Sequence, residues 1–239
     1  TGAGGWATYR ETIPALYGTY VYESERVELE GGVRFEGVRV DYDVNPTHNT
    51  YTSDGYRYFQ PFPNVRAAYK FDNANKLSLF FNRRVDRPNE VDIRIFPKYD
   101  EPELIKVGNP RLQPQYSTST ELGYKTSWSK GSVYAAAYHR IVDGTITRIA
   151  TQVPGSVLLY NVFQNAGRSR STGFELVWQQ TVSSTLSLSG NASVYRKTFD
   201  AFSVVNQYPV PVSYAAPRQH LTSGNVKLNV VVKLPYAWQ

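Results

Sequence analysis

The chain of 239 residues contains no cysteine and no methionine. Without cysteine there is no disulfide and no thiolate metal site, and the absence fits an oxidising compartment in which stray thiols are a liability. Also missing is any run approaching the ~18 apolar residues that a transmembrane helix requires. No signal peptide is visible and the first residue is threonine, so a fragment or a processed chain is expected. Charge of one sign is nowhere concentrated: 26 Lys and Arg are interspersed with 20 Asp and Glu, for a net charge of +6. No basic run exists to follow a phosphate backbone, so nucleic acid is not expected as a partner. The residues of catalysis are equally sparse. His48, His139 and His220 are far apart and lack metal-ligand spacing, and no GxSxG, P-loop or dinucleotide fingerprint occurs. Asp41, Asp43, Asp86 and Glu90 serve as lumen charges or turn caps as readily as any acid/base pair. An enzyme is therefore set aside as the leading class, and no catalytic residue, cofactor or metal is expected.

What the chain has in abundance is aromatic residues, with 19 Tyr, 11 Phe and 4 Trp, and a period of two. One face from Thr118 reads Thr118, Thr120, Leu122, Tyr124, Thr126, Trp128, and the other reads Ser117, Ser119, Glu121, Gly123, Lys125. Val226, Leu228, Val230, Val232 and Leu234 alternate with Lys227, Asn229, Val231 and Lys233, and Leu186, Leu188, Ala192 and Val194 alternate with Ser187, Ser189, Asn191 and Ser193. Such alternation marks strands with one apolar and one polar face. The faces near Tyr17 and Tyr134 stay unassigned. Val33/Phe35 and Val38/Val40/Tyr42 are out of phase by one, and a β-bulge near Gly37 is expected to absorb the slip.

Strands are placed at 12–22, 26–43, 60–71, 76–86, 115–127, 132–150, 158–180, 185–198 and 215–234. Short and longer connections between them alternate without exception. A membrane barrel has this parity, since one rim carries tight turns and the other the long loops. In hydrocarbon every backbone polar group must pair internally, so a spanning sheet has to close on itself. Trp128, Trp178, Tyr236 and Trp238 fall near the short-turn rim, where an aromatic girdle belongs. The expected fold is all-β: an antiparallel up-and-down transmembrane β-barrel meander, with about nine strands of a larger barrel and residues 1–239 as a partial barrel domain. A soluble two-sheet sandwich with one wetted face alternates as well, and is the competing architecture.

Particular motifs point further. Glu11–Tyr17 (ETIPALY) with Gly32–Glu36 (GVRFE), Leu77–Pro88 (LSLFFNRRVDRP) and Gly108–Pro114 (GNPRLQP) resemble, in order, strand and loop motifs of the TonB-dependent outer-membrane receptors. Asn165–Gly167 (NAG) and Gly173–Leu176 (GFEL) resemble later motifs of the same family. The chain departs from the pattern at Gln115, where the family usually has Glu, and at Ile95–Pro97. The resemblance implies a wall belonging to a 22-stranded barrel, a plug domain supplied by the same parent chain and absent here, and coupling to the TonB complex through that missing part. It also implies outer-membrane lipid around the barrel and active uptake of a siderophore, glycan or peptide, a small-molecule or oligomeric substrate. A passive porin or an adhesin-type barrel is the alternative, and a soluble carbohydrate-binding β-sandwich a more distant one. Inward positions are expected for Arg34, Glu36, Arg66, Lys70, Asn82, Arg84, Glu121, Lys125, Glu175, Lys227 and Lys233, where they would meet plug or substrate. Tyr56, Tyr58, Phe59, Phe96 and Tyr99 are candidate ligand contacts on the long loops.

Overall fold

The period-two segments become one antiparallel sheet in the structure, a computed structural model that describes residues 5–48, 50–101 and 103–234. In chain order the elements are β1 (Ala7–Thr12), β2 (Ala15–Glu23), β3 (Val27–Val44), β4 (Asp54–Lys70), β5 (Asn75–Asp86), α1 (Glu90–Ile93), β6 (Lys98–Glu101) and β7 (Leu104–Val107). They continue with β8 (Gln115–Trp128), β9 (Gly131–Asp143), β10 (Ile146–Gln152), β11 (Leu159–Asn165), β12 (Arg168–Thr181), β13 (Leu186–Phe199), β14 (Phe202–Asn206), β15 (Val212–Ala216) and β16 (Gln219–Val232). The wall runs β1/β2–β3–β4–β5–β8–β9–β12–β13–β16. β1 and β2 pair with the two halves of β3 in one continuous register, so they form a single strand interrupted at Ile13-Pro14. Ten wall strands thus reduce to nine spanning units, joined alternately by tight turns and long excursions.

One phase of this wall is polar and the other apolar. Cross-strand pairs carry the polar phase from Glu28, Glu30 and Arg34 on β3 through Arg66 and Asn82 to Ser119, Glu121, Glu175, Asn191 and Lys227. The opposite phase presents Leu16, Phe35, Leu79, Leu122, Leu176, Val194, Val226 and Leu228, all substantially exposed. A soluble protein buries such residues, so this is an apolar wall made to contact hydrocarbon. It also rules out the two-sheet sandwich, which would hide Leu122, Leu188 and Val230 between its layers. Trp128, Trp178, Tyr69 and Tyr22 lie on the apolar phase at the tight-turn rim, with Trp128 Nε1 donating to Gln180 Oε1 (2.9 Å). Tyr236 and Trp238 lie outside the described residues. Tyr17 pairs with Arg34, and the Tyr134 hydroxyl donates to Glu121 Oε1 (2.7 Å), which assigns both to the polar phase.

The expected bulge at Gly37 does not exist. β3 pairs with β4 in unbroken register from Val27↔Tyr69 to Tyr42↔Asp54. What changes at Gly37 is the surroundings. Below it, the polar phase holds Glu28, Glu30, Arg34 and Glu36, and the other phase holds Val33 and Phe35. Above it, the same inner phase holds Val38, Val40, Tyr42 and Val44, buried to 4% exposure or less, while Arg39, Asp41 and Asp43 face outward. A spanning strand needs ~9–11 residues, and β3 has 18, so its upper half stands clear of the bilayer and reverses its polarity.

That upper half is the floor of a second layer. The order β10–β11–β7–β6 forms a four-stranded sheet whose β11–β7 pair is parallel, and β14–β15 form a hairpin beside it. Tyr42, Val44, Tyr51, Ile95, Ile105 and Val107 make a shared apolar core. The strands expected at 132–150 and 158–180 are each cut in two. Gly144 (φ 65°) and Gly167 (φ 62°) face each other, with Gly144 N donating to Gly167 O (2.9 Å), and their left-handed backbone turns the β10–β11 hairpin out of the wall.

Candidate functional site

The candidate surface is the polar phase of the wall together with the layer above it. Strand phase places Arg34, Glu36, Arg66, Lys70, Asn82, Arg84, Glu121, Lys125, Glu175 and Lys227 on this one face. Lys233 follows in the same phase, its N–H donating to Thr185 O (2.7 Å) just past β16. A cleft of about 490 Å³ crosses four strands here, lined by Asn82, Arg84, Ser119, Glu121, Arg140 and Glu175.

On β3, β4 and β5 the charges of this face are paired. Glu28 accepts from Lys70 (2.6 Å) and from Lys76, so one carboxylate ties β3, β4 and β5 together. Arg66 lies 3.8 Å from Glu30 and stacks its guanidinium over Phe80, 5.9 Å from the ring centroid. The Asn82 amide oxygen, turned toward Arg84, accepts from its Nε (2.8 Å). Higher up, Glu36 is 5% exposed and accepts from Arg34 Nε (2.6 Å) and from Arg87 Nη2, whose Nε is 3.4 Å from Glu11 Oε1. Arg87 thereby clamps the start of the long 87–114 excursion to β1 and β3. Sequence reasoning quoted Arg87 within a motif but gave it no role. It also passed over Glu28, Glu30 and Lys76, although the spacing of two from Arg34 on β3 identifies the first two.

The aromatic candidates divide. Tyr56, Tyr58 and Phe59 belong to β4 and not to a loop. The strand expected to start at residue 60 begins earlier and accommodates Pro61 and Pro63, because β4 pairs with β5 only up to Asn64↔Asn82 and above that point the prolines break no ladder on the β5 side. Tyr56 and Tyr58 are on the inner phase, stacked on each other (6.3 Å), with Tyr58 edge-on to Tyr116 (6.1 Å). Phe59 is on the opposite, outward phase, stacked on Phe35 (6.0 Å). Phe96 is exposed in the upper layer and Tyr99 lies in β6.

The GNP motif is structural. Gly108 N donates to Arg94 O and Asn109 N to Asp92 O (both 2.7 Å), and Gly108 O accepts from the Tyr51 hydroxyl (3.1 Å). A Cβ at Gly108 would fall 2.4 Å from Arg94 N, so only glycine fits. Asn109 Nδ2 reaches Phe163 O (3.1 Å), and Asn165 exchanges hydrogen bonds with both backbone groups of Gln113 (2.9 and 2.8 Å). The GNPRLQP and NAG motifs therefore clasp one another. Gln115 uses both ends of its amide, donating to Asp86 Oδ2 (3.0 Å) and accepting from Ile146 N (2.9 Å). A carboxylate there would lose the donor to Asp86. The buried Asn206, missed from sequence, joins the hairpin to this layer through Ile149 O (2.9 Å) and Gln164 Nε2 (2.8 Å). Burial raises the pKa of the Tyr51 hydroxyl and lowers that of the His48 imidazole.

Such a surface offers donors and acceptors of both signs over a broad wetted face. Residues 2–239 match the outer membrane protein beta-barrel family. The chain belongs to that family. Its place is the bacterial outer membrane. No curated protein matches it in sequence. Among solved structures this family wall is similar to the hemophore receptor HasR of Serratia marcescens in complex with its hemophore HasA and heme, with TM-score 0.64, 13% identity, and cover of 91% of this chain and 41% of that one. It is similar to the copper transporter OprC, with TM-score 0.58, 14% identity, and cover of 95% and 40%. It is also similar to the siderophore receptor PirA of Pseudomonas aeruginosa, with TM-score 0.52, 11% identity, and cover of 92% and 51%. The chain thus spans about half or less of the length of these structures, and at such identities the likeness is one of fold.

Proposed function

We propose that this chain is part of the wall of a TonB-dependent outer-membrane receptor that actively takes up a siderophore, glycan or peptide. The charges paired across β3, β4 and β5 on the polar face support this reading most directly. That face is too broad and too rich in both signs for a single small ligand, and it suits a polar protein body lodged in the lumen, a plug supplied by the parent chain. The edges support it too. Among the described residues β16 pairs only with β13 and β1/β2 only with β3, and free strand edges are not tolerated in hydrocarbon, so further strands complete the wall. The role assigned to Arg34, Glu36, Arg66, Lys70, Asn82, Arg84, Glu121, Lys125, Glu175, Lys227 and Lys233 is contact with plug or passing substrate, and the protein is not an enzyme. Phe96 and Tyr99, both within the 87–114 excursion, are the residues retained as ligand contacts. Partners in this reading are the TonB complex and the transported solute.

The test is uptake by cells carrying or lacking the gene, across labelled siderophores, glycans and peptides, with and without an uncoupler of the proton-motive force. Uptake of one class that needs both the gene and the energised membrane supports the receptor. Gene-dependent permeation that an uncoupler leaves unchanged identifies a passive porin instead.

A further inference from the structure

At the top of the apolar band, on the outward phase, three rows of side chains cross β1/β2, β3 and β4. Toward the rim they read Leu16–Phe35–Pro61, then Pro14–Gly37–Phe59, then Thr12–Arg39–Arg57. The two lower rows are apolar and open, with Leu16 74%, Phe35 39% and Phe59 67% exposed. Because Gly37 carries no side chain, a groove of about 530 Å³ opens beneath the two arginines.

Arg39 and Arg57 stand directly opposite each other in the register. Like charges so placed are destabilising. Asp41 accepts from Arg39 Nε (2.7 Å) and Nη2 (3.3 Å), leaving its other N–H groups free. Among the described residues no carboxylate pairs with Arg57. An anion seated between the two guanidinium forks would remove the repulsion and take charge-assisted, bidentate hydrogen bonds. Apolar chains attached to that anion would run down the groove past Pro14 and Phe59 and onto the exposed row of Phe35 and Leu16 below it, along the surface that the bilayer already covers.

We propose that this groove docks a phosphorylated lipid of the leaflet on the long-loop side of the membrane. The arrangement is that of an amphiphile, with charge above, apolar surface below and the boundary at Gly37, where β3 reverses its polarity. A free phosphate ion would use only the upper row. The site is independent of the lumen and of any transported solute, so it stands or falls apart from the receptor reading.

The test uses the full-length parent protein, stripped of lipid in detergent, with occupancy followed by native mass spectrometry. The probes are a phosphorylated glycolipid with several acyl chains, the same glycolipid after removal of its phosphates, and inorganic phosphate. The intact glycolipid is expected to bind, the dephosphorylated one to bind at least about tenfold more weakly, and inorganic phosphate at equal phosphate concentration to leave the bound lipid in place. Combining Arg39→Gln with Arg57→Gln is expected to weaken binding at least about tenfold. Gly37→Leu keeps both charges but fills the groove, and should weaken it as well. A Cβ at Gly37 meets its nearest neighbours at 3.8 and 3.9 Å, ordinary contact, so the backbone there admits a side chain. Folding is checked by gel migration of the unheated barrel. If the double variant does not fold, Arg57→Gln alone carries the comparison. Wild-type affinity in the arginine and Gly37 variants, equal binding of the dephosphorylated lipid, or displacement by inorganic phosphate would overturn the proposal.

Discussion

The two halves of β3 have the same backbone, the same neighbours and one register, and they bury opposite kinds of residue. From Val27 to Glu36 the inner phase is charged and the outer phase apolar. From Val38 to Val44 the inner phase is apolar, at 0–4% exposure, and the outer phase is charged. Hydrogen bonding is satisfied identically in both halves, so the ladder itself does not choose. The surrounding medium does: hydrocarbon outside and water inside below Gly37, water outside and a packed loop layer inside above it. The lower half is a membrane wall, and the upper half is the floor of an ordinary soluble core.

The sharpest way to break that contrast is to place one charge in each medium. Val40→Asp buries an unpaired carboxylate in the upper core and is expected to cost more than about 4 kcal/mol. The upper layer should come loose while the wall remains, read as new protease cleavage within 87–114 in a barrel that still migrates as folded. Leu228→Arg sets a cation against lipid near the middle of the apolar band of β16, with an expected cost of ~2–4 kcal/mol in unfolding free energy measured in bilayers. Its chain neighbour on the wetted phase, Lys227→Leu, should change stability by less than about 0.5 kcal/mol. Equal costs at 227 and 228 would mean that the two phases do not see different solvents.

Smaller effects probe the joint between wall and layer. Gln115→Glu removes the donor to Asp86 and sets two carboxylates together, and at this exposed position about 1 kcal/mol is expected, read as a lower midpoint of thermal unfolding. Asp86→Asn should restore it in that background. The smallest effect concerns His48, whose Nδ1 accepts from the N–H groups of Thr50 and Tyr51 (both 3.1 Å). Burial holds its folded pKa below the unfolded value of ~6.5. The unfolded loop therefore binds the proton more readily, and stability present above pH ~6.5 is lost as pH falls toward the folded pKa. Protection of the Thr50 and Tyr51 amides, taken relative to their intrinsic exchange rates at each pH, should fall across that window in the parent protein and stay constant in a His48→Gln variant.

Most of the wall was legible because phase is a local signal. Ser117–Trp128 and Val226–Leu234 announce two faces, and the short/long parity of their connections announces a barrel. The upper layer was not legible, since its strands borrow their faces from distant partners. β7 pairs in parallel with β11 across some fifty residues, and no local pattern reports that. The slip at Gly37 was visible in the sequence but was expected to be a change of backbone, when it is a change of solvent. Tyr56, Tyr58 and Phe59 were expected on a loop because the strand was started at residue 60, whereas β4 begins at Asp54 and its upper end pairs with β3 alone. Of the candidate surface, the alternation put the candidate residues on one phase of the wall, while the clamp made by Arg87 on Glu36 and Glu11 depends on an excursion returning from elsewhere in the chain.

The central claim is that β3 changes solvent at Gly37 without changing register. Spin labels placed singly from residue 27 to residue 44 of the full-length protein in bilayers test it, through their relaxation by oxygen, which concentrates in lipid, and by a water-soluble nickel chelate. The account expects Val33 and Phe35 to respond to oxygen, Glu28, Glu30 and Arg34 as well as Arg39, Asp41 and Asp43 to nickel, and Val40, Tyr42 and Val44 to neither. Oxygen accessibility continuing along the odd-numbered residues to Asp43, or a reversal of phase at Gly37, would contradict it.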